Sequence, residues 1–259
     1  MAIGLIIIGS ELLSGRRQDG HMAHAIELLD ARGLNLAWST YLEDDPQRIT
    51  AALKSTMGSP DWVFCFGGIG ATPDDHTRQA AADAAGLPLE CHAEAAAVIE
   101  QRFGAKAHPQ RIRMAHLPQG CRLIPNPVNQ IAGFSLNHHH FLPGFPQMAW
   151  PMMNWVLEEH YADAFGQPAV ERILRLPGIT EGLLIGVMED FVRRYPDLKL
   201  SCLPHMEDDY RETELGVRGP GEATEMALAW LREALETKGF PVEDVVVPVT
   251  GQRDPGLSE

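Results

Sequence analysis

One stretch of the chain decides its fold: Trp62-Val63-Phe64-Cys65-Phe66-Gly67-Gly68-Ile69-Gly70-Ala71-Thr72-Pro73-Asp74-Asp75-His76-Thr77. Its first five apolar residues predict a strand that is covered on both faces. The glycines that follow let the backbone turn sharply and approach a ligand closely. In an open α/β sheet, ligands bind where the chain leaves the carboxyl end of such a strand. The stretch therefore predicts an α/β fold with a binding site at residues 67–77.

Strand-like and helical segments alternate on both sides of this stretch. The apolar run at residues 3–8 predicts another buried strand, and Met22, Ile26 and Leu29 recur at helical spacing after it. Further strands are predicted at 36–42 and between 117 and 142, and further helices at 46–57, 75–85, 93–103 and 148–161. This alternation predicts parallel strands joined by helical crossovers.

A smaller domain follows the first. Gly166-Gln167-Pro168 predicts a linker, so we expect a large domain at 1–166, a small α+β domain at 167–250 and a tail at 251–259. The small domain has predicted strands at 170–176, 198–203, 212–217 and 245–249, and helices at 181–194 and 222–238. Their order, β-α-β-β-α-β, predicts a ferredoxin-like or related unit.

The charge and composition of the chain restrict its partners. The 21 Lys plus Arg and 35 Asp plus Glu give a formal net charge of −14, which repels the nucleic-acid backbone, so we expect no nucleic-acid partner. A phosphorylated ligand needs backbone N–H groups or a divalent cation to offset this charge. The short apolar opening has no basic leader, which predicts a cytoplasmic protein without a membrane partner. Scattered cysteines predict reduced, mostly buried thiols: Cys65, Cys91, Cys121 and Cys202.

The loop at 67–77 offers three kinds of ligand-binding group. Glycine N–H groups can hold a phosphate, threonine hydroxyls can donate to it, and aspartates can hold Mg²⁺ or a similar cation. The candidates are Gly67, Gly68, Gly70, Thr72 and Thr77 for the phosphate, and Asp74 and Asp75 for the metal. A second interpretation stays open, in which the loop is a tight turn where Thr72 or Asp74 only caps the next helix.

Two other acidic loops should lie at the same sheet edge. Ser10 and Glu11 follow the first strand, and Asp44 follows the second. Glu11 could bind a ribose, a pterin amide edge or a metal-bound water, whereas a capping or solvated role for Asp44 is equally open. Three acidic loops at one edge favour a functional site.

The histidines give weaker signals. Neighbouring residues on a strand point to opposite faces, so His138, His139 and His140 cannot all bind one metal ion, and a solvated hairpin is favoured. His76 lies in the phosphate loop and is a candidate acid or base, although a solvent-facing position at the start of a helix is equally open.

Four motifs together resemble the CinA-type competence/damage-inducible protein family. They occur in the family's order: Gly9-Ser10-Glu11-Leu12-Leu13-Ser14-Gly15, the loop at 67–77, Asn126-Pro127-Val128 and Leu142-Pro143-Gly144-Phe145-Pro146. The resemblance covers residues 3–160, and the small domain also looks like the family's. The chain departs from the family at His21 (usually Asn), Ala71 (Pro), His76 (Leu), Asn129 (Gly) and Phe145 (Pro).

The resemblance implies a three-layer αβα sandwich with a mostly parallel sheet, shared with MoaB- and MogA-like molybdopterin-binding proteins, and a homo-oligomer. Two aspartates important in related enzymes match Asp44 and Asp75, which become the catalytic candidates. Ser10, Glu11, Asn126, Pro143 and Gly144 lie in matching motifs and join the ligand-binding candidates. Longer relatives carry a nicotinamide-nucleotide amidase domain after the matched region, and we expect that activity to be absent.

Three functions are compatible with these residues. The first is metal-dependent hydrolysis of a nucleoside diphosphate compound such as ADP-ribose, as in some family members. The second is binding of molybdopterin, or adenylyl transfer to it, at the same cleft. The third is a non-catalytic binding module, with the small domain as its partner surface.

Overall fold

A computed structural model of the 259-residue chain describes residues 1–207 and 210–245. The chain divides into two compact units, Met1–Gly166 and Gln167–Glu259. Among the described residues, no helix is long and apolar enough to cross a membrane. The four cysteines are free thiols, and two of them, Cys65 and Cys121, are buried.

The first unit is built on a six-stranded sheet and a separate two-stranded one. The strands are β1 Ile3–Ile8, β2 Trp38–Leu42, β3 Trp62–Phe66, β4 Leu89–Cys91, β5 His116–Pro118, β6 Arg122–Ile124, β7 Gly133–Leu136 and β8 His139–Leu142. The order of the larger sheet is β2-β1-β3-β8-β7-β6. Its pairs β1–β2, β1–β3 and β3–β8 are parallel, whereas β8–β7 and β7–β6 are antiparallel. The smaller sheet is the antiparallel pair of β4 and β5.

Helices cover both faces of this sheet. They are α1 Ser10–Leu13, α2 His21–Asp30, α3 Pro46–Thr56, α4 Thr77–Ala85, α5 Ala93–Phe103 and α6 Pro146–His160. Because side chains alternate along a strand, Ile6 of β1 packs in one core with α3, α4 and α5, whereas Leu5 packs in another with α2 and α6. The unit is therefore the expected three-layer αβα sandwich with a mostly parallel sheet.

Two helices of the first unit begin at other residues than the sequence pattern indicates. The helix expected from residue 75 begins at Thr77, because the side chain of Asp75 holds the preceding loop instead. The helix expected from residue 148 begins earlier, at Pro146, since proline is suited to the first helical position.

The prediction of a solvated histidine hairpin is wrong for two of its three members. His138 is exposed in the turn, but His139 and His140 are buried in β8. Nε2 of His139 lies 2.8 Å from the Thr56 hydroxyl, and His140 forms hydrogen bonds to Ser135 and Tyr161. Burial lowers the pKa of His139 to about 4 and that of His140 to about 3, so both rings are neutral core residues.

The second unit has the predicted β-α-β-β-α-β order. Its elements are β9 Val170–Pro177, α7 Glu181–Arg194, β10 Lys199–Glu207, β11 Tyr210–Gly219, α8 Gly221–Thr237 and β12 Glu243–Val245. The antiparallel sheet order β10-β11-β9-β12 is that of the ferredoxin-like arrangement. Leu184, Phe191 and Leu231 of the two helices pack on Leu215 of the sheet. Residues 246–249 of the predicted last strand and the predicted tail lie outside the described residues.

Candidate functional site

The loops that follow neighbouring strands meet at one edge of the first unit's sheet. The strands β2, β1, β3 and β8 run parallel, so their carboxyl ends lie side by side. The N–H of Gly67, after β3, donates to the Leu142 carbonyl at the end of β8 over 3.0 Å. The N–H of Gly9, after β1, donates to the Leu42 carbonyl at the end of β2, also over 3.0 Å. The candidate loops that were predicted from the sequence, at residues 10–11, 44 and 67–77, lie at this edge.

The turn from β3 into α4 requires glycine at its first two positions. Gly67 has φ 99° and Gly68 has φ 69°, a region that other residues rarely adopt. A Cβ at Gly67 would collide with the Ile8 carbonyl, and one at Gly68 with the Thr77 hydroxyl. Thr77 is fully buried, and its hydroxyl donates to the Gly67 carbonyl over 2.9 Å. In this structure Thr77 therefore supports the turn from inside.

Asp75 organises the rest of this loop. Its Oδ1 accepts the Gly70 N–H over 2.9 Å, and its Oδ2 accepts the N–H and the hydroxyl of Thr72 over 2.7 and 2.5 Å. A Cβ on Gly70 would lie 2.5 Å from the same carboxylate. Three hydrogen bonds from one carboxylate hold residues 70–75 as a closed turn. Asp74 and Thr72 are exposed on its outer side.

Several backbone donors of the loop are left unused within the described part of the chain, those of Ala71 and His76 among them. Within the described part of the chain, the N–H groups of Gly68 and Ile69 have no protein acceptor. Gly68 lies beside the start of α4, because its carbonyl accepts the Thr77 N–H over 3.0 Å. The nine residues of α4 place the positive end of a helix dipole at Thr77. Unpaired N–H groups beside a helix N-terminus form the kind of concavity that binds phosphate.

A buried arginine lies behind the loop and was not singled out from the sequence. Arg78, the second residue of α4, donates to the Gly70 carbonyl over 2.7 Å, and also to the carbonyls of Arg113 and His116. Burial lowers the pKa of its guanidinium, but Asp75 beside it opposes that effect. Its charge fixes the loop and makes the local potential more positive, although the chain as a whole is acidic. The feature of the sequence that could have indicated this role is the single arginine in an otherwise Ala-rich helix.

The loops after β1 and β2 hold each other. The Ser10 N–H donates to Asp44 Oδ2 over 2.8 Å, and the Asp44 N–H donates to the Ser10 hydroxyl over 3.1 Å. Glu11 bends back over Gly9, where an added Cβ would lie 3.0 Å from its carboxylate. Ser10 is exposed, and both carboxylates are half-buried at the edge. Ser10, Glu11 and Asp44 thus form one acidic group at the ends of adjacent strands.

The remaining candidates divide between the edge and a separate loop. Gly144 lies against the glycine turn, because a Cβ on it would be 3.4 Å from the Gly67 Cα, and half-buried Pro143 precedes it. Asn126 is buried, and its amide bonds the Ile131 carbonyl and the N–H groups of Val128 and Asn129. Those contacts all stay inside its own loop. His76 is the residue before α4, with its ring half-buried.

The loop between α1 and α2 adds residues that sequence reasoning did not assign to the site. Asp19 accepts the N–H groups of His21 and Met22 over 2.8 and 3.0 Å and the Tyr41 hydroxyl over 2.7 Å. His21 is buried, and its ring reaches the Gly144 carbonyl. The available signal was the Asp19-Gly20-His21 helix start, where Asp19 fixes the histidine.

The donor set indicates how a cation would be held. Among the described residues, no group of three or more His, Cys, Asp and Glu side chains is close enough to hold a metal ion. Mg²⁺ commonly uses only one or two carboxylates together with the phosphates of its substrate. Carboxylates at this edge therefore suit a cation that arrives with a phosphorylated ligand.

The first unit is similar to known proteins. Residues 4–163 match the family model described as "Probable molybdopterin binding domain". A CinA-like protein from Citrifermentans bemidjiense is 35% identical over 196 residues, 73% of this chain and 47% of that protein. A protein from Caldivirga maquilingensis is 27% identical over 89% of this chain and 93% of its own length. The crystal structure of CinA, of unknown function, from Thermoplasma acidophilum aligns with TM-score 0.56 and 28% identity over 61% of this chain and 98% of that one.

The fold and the site together define a class of protein, the molybdopterin-binding-type α/β domain with a glycine loop at its sheet edge. The chain belongs to this molybdopterin-binding-domain family, among its CinA-like members. It spans about half the length of the CinA-like relative from Citrifermentans bemidjiense.

Proposed function

We propose that the sheet edge of the first unit binds the pyrophosphate of a nucleoside diphosphate compound such as ADP-ribose and hydrolyses it with a divalent cation. The observation that carries this proposal is the pair of unused N–H groups of Gly68 and Ile69, in the loop whose Gly68 carbonyl accepts the first N–H of α4. Two adjacent amide donors at a helix N-terminus suit an anionic oxygen better than a neutral group.

The rigidity of the loop supports a role in catalysis as well as in binding. Asp75 fixes Gly70 and Thr72, and Arg78 fixes Gly70 from behind. Donors held in place before the ligand arrives need no reorganisation as charge develops on the phosphate oxygens. In this proposal Asp75 shapes the loop and also offers an oxygen to the cation, and the exposed Thr72 and Asp74 would meet the ligand's phosphates.

The cation would neutralise the pyrophosphate and polarise its phosphorus–oxygen bonds. Asp44 and Asp74 are the carboxylates offered to it, together with the open part of Asp75, and the phosphates complete its coordination. In hydrolysis, water adds to one phosphorus, the bridging phosphorus–oxygen bond breaks, and the water's proton passes to a carboxylate. Asp44 suits that last role, because only its Oδ2 is held by Ser10. ADP-ribose would yield AMP and ribose 5-phosphate.

One observation favours a second function. The family model that matches residues 4–163 carries molybdopterin binding in its description. Molybdopterin has a phosphate, so the same glycine loop would hold it while the acidic group at Ser10, Glu11 and Asp44 meets the N–H edge of the pterin. A third function, binding without catalysis, would use the same contacts.

The test is to incubate the purified chain with ADP-ribose and, separately, with an adenylylated pterin, each with and without Mg²⁺ or Co²⁺. Separation of the products by chromatography should show AMP from ADP-ribose only when the cation is present. Asp44→Asn should lower the rate at least tenfold, whereas Asp83→Asn, an exposed carboxylate near the far end of α4, should leave it unchanged. Turnover of the pterin alone would favour the second function, and binding of either compound without turnover the third.

A further inference from the structure

One aromatic side chain at the sheet edge is exposed although it is apolar. Of the nine phenylalanines of the chain, all of which lie among the described residues, only Phe145 is exposed, at 53%. It follows Gly144 at the end of β8 and directly precedes α6. Single exposed apolar residues are common on protein surfaces, so the position of this ring decides whether it has a role.

The start of α6 does not depend on the ring of Phe145. The backbone carbonyl of Phe145 accepts the N–H groups of Met148 and Ala149 over 3.0 and 2.9 Å, and its side chain forms no capping hydrogen bond. Pro146 stands at the first helical position, where its fixed φ favours the helix. A different side chain at position 145 can therefore keep the same backbone.

The ring lies beside the glycine turn. The guanidinium carbon of Arg17 is 5.8 Å from the centroid of the Phe145 ring, and the Arg17 N–H donates to the Glu11 carbonyl in the loop after β1. Because β3 lies between β1 and β8 in the sheet, this contact joins the loops on either side of the glycine turn. A Cβ on Gly144 would be 3.4 Å from the Gly67 Cα. With 3.8 Å between consecutive Cα atoms, the Cα of Phe145 lies within about 9 Å of that of Gly67.

Arg17 covers the ring only loosely. Its side chain is 52% exposed, and its ion pair with Glu11 is 4.0 Å long. Exposed ion pairs and exposed cation–π contacts each contribute little free energy. The guanidinium can therefore leave the face of Phe145 at small cost, and a guanidinium plane can also stack on a ligand ring.

We propose that Phe145 determines ligand specificity by stacking on the adenine ring of the nucleoside diphosphate compound. This inference rests on the proposed function, because the glycine loop must hold the phosphates. One ribose separates the phosphate from the base in such a compound, so a ligand with its phosphates at Gly68 and Ile69 can place its base on the nearby ring. A base presents a flat π face that stacks on an aromatic side chain without needing a hydrogen bond.

Two substitutions separate stacking from a structural role. Phe145→Leu keeps an apolar side chain and removes the aromatic face, whereas Phe145→Tyr keeps the face. Calorimetry with the full chain, without added cation so that ADP-ribose is not hydrolysed, would measure the affinities for ADP-ribose and for inorganic pyrophosphate, which has no ring. We expect Phe145→Leu to weaken ADP-ribose binding about tenfold and Phe145→Tyr less than threefold, with pyrophosphate affinity unchanged in both. Val128→Ala, at a residue that is 56% exposed in the separate loop of Asn126, is the control and should change neither affinity.

Wild-type affinity for ADP-ribose in Phe145→Leu would overturn the stacking contact and leave the proposed function standing. Equal losses for both probes would also overturn it, because they would mean that the side chain only supports the loop. Binding of neither probe by the wild-type chain, with or without Mg²⁺, would overturn the proposed function too. Proton resonances of ADP-ribose give an independent check, since a stacked aromatic ring should shift the adenine protons upfield in the presence of the wild-type chain and not of Phe145→Leu. No upfield shift with the wild-type chain would contradict the stacking.

Discussion

Two loops of the first unit are each held by one polar side chain, yet only one of them has the properties of a binding site. Asp75 accepts three hydrogen bonds from residues 70 and 72, and Asn126 bonds three backbone groups of residues 128–131. Both residues lie in sequence motifs that indicated ligand contact. Their local geometries are similar, since each closes a short turn through its side chain.

The difference lies in what each side chain leaves unsatisfied. Asn126 is buried at 4% exposure and uses both ends of its amide within the loop. Asp75 is half-buried, charged, and leaves the N–H groups of Gly68 and Ile69 without acceptors in the described structure. The two turns therefore differ in whether they expose donors that the protein does not use, and this difference is the basis of the proposed site.

The largest expected effect comes from the glycine turn. Gly68→Ala forces a side chain into φ 69° and against the Thr77 hydroxyl, which displaces the N–H groups at 68 and 69. We expect ligand affinity to fall about 100-fold, or about 2.7 kcal/mol, and the melting temperature to drop. Gly186→Ala is the matched control, because an added Cβ in α7 has no atom within 4 Å. Retention of wild-type affinity in Gly68→Ala would remove the loop from the site.

Asn126→Ala should lower the stability of the chain and leave its ligand affinity nearly unchanged. It leaves the Ile131 carbonyl and two backbone N–H groups of a part-buried loop without their partner, which costs about 2 kcal/mol of unfolding free energy. Chemical denaturation would measure this loss, with Gln101→Ala on the exposed face of α5 as the control. Ligand affinity measured below the transition should stay within threefold of wild type, and a tenfold loss would instead put Asn126 at the ligand.

Asp75→Ala should have the opposite effect: it should weaken ligand binding and leave the chain folded. It removes three hydrogen bonds from a half-exposed loop, so we expect at least a tenfold loss of ligand affinity or turnover, about 1.4 kcal/mol, in a chain that still folds. Circular dichroism would confirm the fold, and Asp83→Ala serves as the carboxylate control. Full activity of Asp75→Ala with a natural metal would contradict its assignment to the site.

The smallest expected effect concerns nucleic acid, since the positive potential at the glycine loop is local. With 35 acidic against 21 basic residues, the chain should bind RNA or DNA no more tightly than about 10⁻⁴ M at physiological salt. Fluorescence anisotropy with single-stranded RNA would measure it. Micromolar, salt-dependent binding would show that basic groups act well beyond the loop.

Local sequence patterns predicted much of the fold because most elements are fixed by short-range features. The buried strands and the helix at 93–103 follow from apolar runs and periodicity, and the glycine turn follows from residues 67–70. Residues whose roles depend on distant partners could not be predicted in this way. His140 is buried beside Ser135 and Tyr161, and the orientation of the His21 ring depends on its hydrogen bond to the carbonyl of Gly144, 123 positions away. Likewise, nothing in the motif Asn126-Pro127-Val128 indicates that the Asn126 amide donates a hydrogen bond to the Ile131 carbonyl.

A crystal structure of the chain grown with phosphate or sulfate would test most directly whether the glycine loop binds an anion. We expect an anion in the loop at 67–72, with oxygen atoms about 2.7–3.2 Å from the N–H groups of Gly68 and Ile69. Well-ordered anions found only elsewhere, with the N–H groups of this loop bonded to the protein or to solvent alone, would contradict it.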